Sequence, residues 1–142
     1  MKLFSKLALV FCFVFLSVFS AFADNEPAKV VKEFCQLDYE GMRLSSHTYP
    51  AVRHLTTIEE SEGWDTVVII DKFDVTNTVI TDNTAEVTVV YYVLGTADGD
   101  GLKETKAVKT VTFKLGKNSK GWKITYPDLE PHISKDALEV LE

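Results

Sequence analysis

Cysteine is nearly absent from this chain. Its 142 residues include two, and Cys12 falls inside an N-terminal apolar run, so a folded domain downstream holds Cys35 alone. One thiol excludes an internal disulfide whatever the compartment, and its place in a helical pattern beside Phe34 reads as a buried small apolar residue. Histidine does not make up a metal set: His47, His54 and His132 are separated by seven and 78 residues, unlike the close ligand pairs of zinc sites. Catalytic signatures are missing too. No serine stands in a Gly-x-Ser-x-Gly elbow, and there is no phosphate-binding glycine loop or dinucleotide fingerprint. Asp98-Gly99-Asp100-Gly101 begins like a calcium loop, but Leu102 takes the next ligand position and no closing glutamate fits. No cofactor and no metal is therefore assigned.

A long membrane-spanning run is also lacking. Leu7 to Phe19 is apolar almost throughout, but a span needs roughly 20 such residues. Lys2 and Lys6 precede the run, and Ala21-Phe22-Ala23 follows it with small residues where a signal peptidase reads. The segment 1–23 reads as a cleaved signal peptide and 24–142 as one mature domain beginning at Asp24. A retained anchor and a lipoprotein are the alternatives. The second is opposed by bulky Phe11 before Cys12. The expected destination is the periplasm or the medium, with no stable membrane insertion after cleavage.

Loss of Lys2 and Lys6 leaves 13 basic and 21 acidic residues, a mature net charge of −8. Nucleic acid and anionic membranes are repelled on average. Seven lysines and one acid, Glu104, lie between Lys103 and Lys123. No arginine interleaves them, and they read as the solvated side of a β-hairpin rather than a nucleic-acid face.

What remains is a clear change of period. Val30, Val31, Phe34, Leu37 and Met42 recur at helical spacing, predicting an amphipathic helix from about Pro27 to Gly41. A short helix begins at Pro50. From Trp64 the period becomes two, giving a long, bent strand through Val79, then a turn at Asp82-Asn83. Further strands are predicted at Ala85–Leu94, Glu104–Leu115 and Trp122–Tyr126. Gly95 to Gly101 reads as a flexible hairpin loop, Pro127 and Pro131 as the end of the sheet, and Ser134 as the N-cap of a short terminal helix. The order predicts an α+β domain: a curved antiparallel sheet of about four strands, an N-terminal amphipathic helix across its concave face, and a short C-terminal helix.

Two charges interrupt this pattern. Asp71 falls in the register of Val67, Ile69, Phe73 and Val75, and Lys109 in that of Ala107, Val111, Phe113 and Leu115. Tyr91 lies on the strand between. Buried charge needs a partner, so Asp71, Tyr91 and Lys109 form the candidate ligand-binding site inside the cone. A bulge or strand end that puts either charge in water is the alternative.

The starting helix Pro27-Ala28-Lys29-Val30-Val31-Lys32-Glu33-Phe34, the strand Ala85-Glu86-Val87-Thr88-Val89-Val90-Tyr91 and the closing Gly121-Trp122-Lys123-Ile124 resemble the nuclear-transport-factor-2-like superfamily. Gly63-Trp64-Asp65 and Tyr91-Tyr92-Val93-Leu94-Gly95 are similar to its secreted bacterial members without assigned activity. The resemblance implies a cystatin-like cone. That superfamily contains isomerases, dehydratases, cyclases and binding modules, and no catalytic set carries over to these residues. The expected function is a secreted or periplasmic non-enzymatic module for a small molecule or protein partner. A small-molecule isomerase, dehydratase or hydrolase using the cone interior is one alternative. An inhibitor or assembly subunit acting through an exposed sheet face is another, as is a homodimer through the sheet.

Overall fold

The computed structural model describes residues 25–59 and 64–140. The expected signal peptide lies outside the described residues. Among those described, no helix is long and apolar enough to cross a membrane.

Helix α1 spans Glu26–Tyr39. Its start is fixed by Asn25, whose side chain accepts the Ala28 N–H at 2.8 Å, and by Pro27 in the first turn, where no backbone donor is lost. Val31, Phe34, Cys35 and Asp38 make one buried stripe at helical spacing. Gly41 ends the helix with φ +85, and Met42 N–H returns to Leu37 C=O at 3.0 Å. The short helix α2, Pro50–Arg53, follows.

Four long or medium strands come next: β1 Thr66–Thr81, β2 Thr84–Asp98, β3 Gly101–Asn118 and β4 Gly121–Tyr126. A three-residue strand β5, His132–Ser134, precedes α3, Lys135–Glu139, which Ser134 caps through Ala137 N–H at 3.0 Å. The curved sheet runs β4-β3-β2-β1-β5. All neighbours are antiparallel except β5, which lies parallel to Val68–Ile70 of β1. The α+β class, the starting helix and the terminal helix stand as the sequence implied.

Three local readings are corrected. The chain does not leave the sheet at Pro127 and Pro131 but returns as β5, because Ile133 offers one more buried apolar side chain beside β1. Gly95 to Gly101 is not a flexible loop. Strands β2 and β3 continue to a tight turn at Gly99-Asp100, and Gly95 sits at a register shift where a Cβ would lie 2.2 Å from Lys103 C=O. Only glycine allows that approach. Finally, the inner face of β1 is not Val67, Ile69, Asp71 and Phe73. Val68 and Ile70 join Phe73 and Val75 under α1, while Val67 and Ile69 belong to a second cluster with Ala97, Ile133, Trp64 and Leu138. The register skips Asp71 between Ile70 and Lys72, so parity changes there.

The main core lies between α1 and the inner sheet face. It holds Val31, Phe34, Val87, Val89, Tyr91, Phe113, Leu115 and Ile124. Phe34 meets Phe113 edge-on with ring centroids 5.9 Å apart, a favoured aromatic geometry.

Candidate functional site

Of the three residues singled out from sequence, two come together. Tyr91 and Lys109 are register partners on β2 and β3. Asp71 is exposed at its bulge, and Lys109 pairs instead with Glu130, Nζ to Oε1 3.3 Å. The expected Asp71–Lys109 convergence is replaced by a cluster in which four unforeseen residues take part: Asp38, Arg43, Glu130 and His132.

His132 is fully buried, its ring 4.3 Å from that of Tyr91. Its Nδ1 lies 2.8 Å from Glu130 C=O, which can only accept, so Nδ1 carries the proton. Nε2 then accepts from the Lys109 ammonium at 3.2 Å. Burial and the Lys109 charge push the imidazole pKa down to about 4, leaving His132 neutral at physiological pH. Burial pushes the Glu130 carboxyl up, but a backbone hydrogen bond and Lys109 outweigh it and hold the group below its ordinary value.

Tyr91 Oη stands 3.3 Å from Cys35 Sγ. Burial pushes the thiol up to about 12, and burial with the neighbouring thiol raises the phenol strongly. Both stay protonated, as a nucleophile or base should not. Arg43 closes the cluster from below. Its guanidinium lies 5.2 Å from the ring centres of both Phe34 and Trp64, donates to Asp38 Oδ2 at 3.2 Å and to Leu129 C=O at 2.6 Å. Asp38 Oδ2 also receives the His132 backbone N–H at 3.0 Å. The cluster thus stitches β5 to α1 and β3. One signal for it was present: Asp38 falls seven residues after Val31 on the buried stripe, where a charge demands a nearby cation such as Arg43.

The accessible concavity is elsewhere. A groove of about 570 Å³ opens between α1 and β1. Its helical wall is Ala28, Lys29, Lys32, Gln36 and Tyr39, and its other wall is Asp71–Val75. Tyr39 Oη donates to Asp71 C=O at 3.1 Å, and Tyr39 and Phe73 pack edge-on at 6.4 Å. Phe73 lies 6.5 Å from Tyr91 on its other side, so it separates the groove from the buried cluster. Asp71 therefore lines a concavity, though not the one its expected register implied. Among the described residues, no three His, Cys, Asp or Glu side chains are grouped to hold a metal.

No family model and no curated protein matches the chain. Two solved structures are similar to it. One is a Campylobacter jejuni protein described as an NTF2-like transpeptidase, at 10% identity and a TM-score of 0.38, covering 72% of this chain and 100% of that one. The other is the intermembrane-space region of the chloroplast protein ARC6, at 14% identity and a TM-score of 0.40, covering 69% of this chain and 88% of that one. Likeness at this level does not extend to activity.

Proposed function

We propose that this is an exported, non-enzymatic binding module whose ligand occupies the α1–β1 groove. The observation that carries the reading is the contrast between two places. The cone interior is filled: Tyr91, Phe113, Val89 and His132 are within about one per cent of complete burial, and burial holds the Cys35 thiol and the Tyr91 phenol protonated, the forms least suited to nucleophilic attack. The groove is open, joins aromatic and aliphatic surface to charges of both signs, and has the volume of a small-ligand site. Export rests on the N-terminal pattern, and a mature N-terminus at Asp24 in mass spectrometry is its expected signature.

Binding is tested by titrating ¹⁵N-labelled mature protein with a library of small aromatic and aliphatic acids and amines. Shifts should concentrate at Asp71–Val75 and along the groove-facing side of α1. Shifts centred on Tyr91, Cys35 and His132 would favour the cone-interior enzyme instead.

A further inference from the structure

Resting on the groove reading, we propose that the occupant is an extended segment of a partner protein. It adds as a further strand to the free edge of β1 and carries an acidic side chain two residues from an apolar one. Strand β1 is 16 residues long, yet β5 covers its outer edge only at Val68–Ile70. Among the described residues, nothing pairs with the rest of that edge. The groove is built on the uncovered part, since Asp71–Val75 forms one of its walls.

The backbone faces the right way. Asp71 C=O points to the groove, because Tyr39 on α1 donates to it. From Lys72 to Val75 the pairing with β2 is regular, so alternate residues of that stretch turn their N–H and C=O groups to the uncovered edge. An added strand would satisfy these groups with main-chain hydrogen bonds, and alternate side chains would meet the groove walls. The charges Asp71, Lys72 and Asp74 on the same stretch discourage indiscriminate pairing with other edges.

Charge sets the sequence of the occupant. Tyr39 lies against Asp71, so the earlier turns of α1, bearing Lys29 and Lys32, flank the other end of the groove near Val75. The helix rise from Lys32 to Tyr39 is about 10 Å and the strand rise from Asp71 to Val75 about 13 Å, so the two walls are matched in length. A strand in this space places one inward side chain beside Lys29 and Lys32. The next inward side chain, two residues on, rests on Phe73 and Tyr39. An acid followed or preceded at that spacing by an aliphatic residue fits both. The mature chain is acidic overall, but at a screening length of about 8 Å the local lysines dominate.

The test uses mature protein labelled with ¹⁵N and acetylated, amidated threonine heptapeptides carrying Glu and Val two residues apart, in both orders. One order should shift Phe73, Val75 and the groove face of α1. Replacing the peptide Glu by Lys, or making Lys29→Glu with Lys32→Glu, should weaken binding about tenfold, and combining the two changes should restore it. Methylating the peptide nitrogens that face β1 should weaken it about tenfold or more, which side-chain contacts alone would not require. Absence of shifts with either peptide at about 1 mM would overturn the inference. If the small acids and amines still shift the groove, the binding reading survives. If they too fail, both fall. A concentration-dependent dimer that perturbs the same edge without peptide would make a second copy the occupant and overturn the proposal.

Discussion

Phe34 shows how much one side chain carries here. It is 6% exposed, meets Phe113, and supports the Arg43 guanidinium at 5.2 Å. Phe34→Ala should cost about 3–5 kcal/mol in a denaturant titration, from lost burial and an imperfectly closed cavity. A change near zero would mean that the helix face is misassigned. His132 gives a pH signature. Its pKa falls from an ordinary 6.5 to about 4, so the unfolded chain binds the proton first as pH drops. Stability is full above about 6.5 and is lost progressively down to about 4. Between pH 6.5 and 5 the loss should be about 2 kcal/mol, at 1.36 kcal/mol per unit. His132→Gln should flatten that part of the profile, where Glu130 remains ionised. Equal slopes in the two proteins would mean that His132 titrates normally. At this scale the sequence was half readable. Lys109 and Tyr91 were recognisable because their neighbours two residues away are apolar. Asp71 was misplaced because one extra residue reverses strand parity, and no single residue type marks a bulge other than glycine.

The elements were more legible than the residues, because each rests on several concordant signals. Helix α1 was legible from Pro27 at a first helical position and from apolar residues at helical spacing, while its Asn25 cap came only with the structure. Asn25→Ala should cost about 1 kcal/mol by thermal or chemical unfolding, through loss of the 2.8 Å bond to Ala28 N–H, while Asn25→Ser should recover most of it. Equal stability of wild type and Asn25→Ala would place the helix start elsewhere. Strand β5 was missed because three residues, His132-Ile133-Ser134, give no period and follow a proline. Its pairing is specified from a distance, by the uncovered edge of β1 and by Asp38 accepting the His132 N–H. The groove was missed for the same reason: its walls, α1 and β1, are about 30 residues apart, and nothing local says that β5 stops at Ser134 and leaves the edge bare.

For the molecule as a whole, Cys35, the one cysteine among the described residues, becomes a useful reporter. Cys35 is 1% exposed, its thiol is pushed up to about 12, and it sits where α1 meets Tyr91 at the centre of the cone. Reaction with a small disulfide reagent needs both access and thiolate, and here both wait for α1 to lift from the sheet. In native buffer near pH 8 the protein should therefore react at least about a thousandfold more slowly than a free thiol, in line with the small open populations of a stable domain. Denaturant should release the reaction in the same transition that reports loss of secondary structure. Labelling that completes well before that transition would show that α1 opens separately from the sheet, and the filled cone would then be an accessible one. The endpoint carries the second half of the test. If the proposed export cleaves the chain after Ala23 and removes Cys12, unfolded protein recovered from the cell should titrate one thiol per chain, Cys35. Two thiols would mean that the N-terminal segment is retained and that the molecule remains held at a membrane.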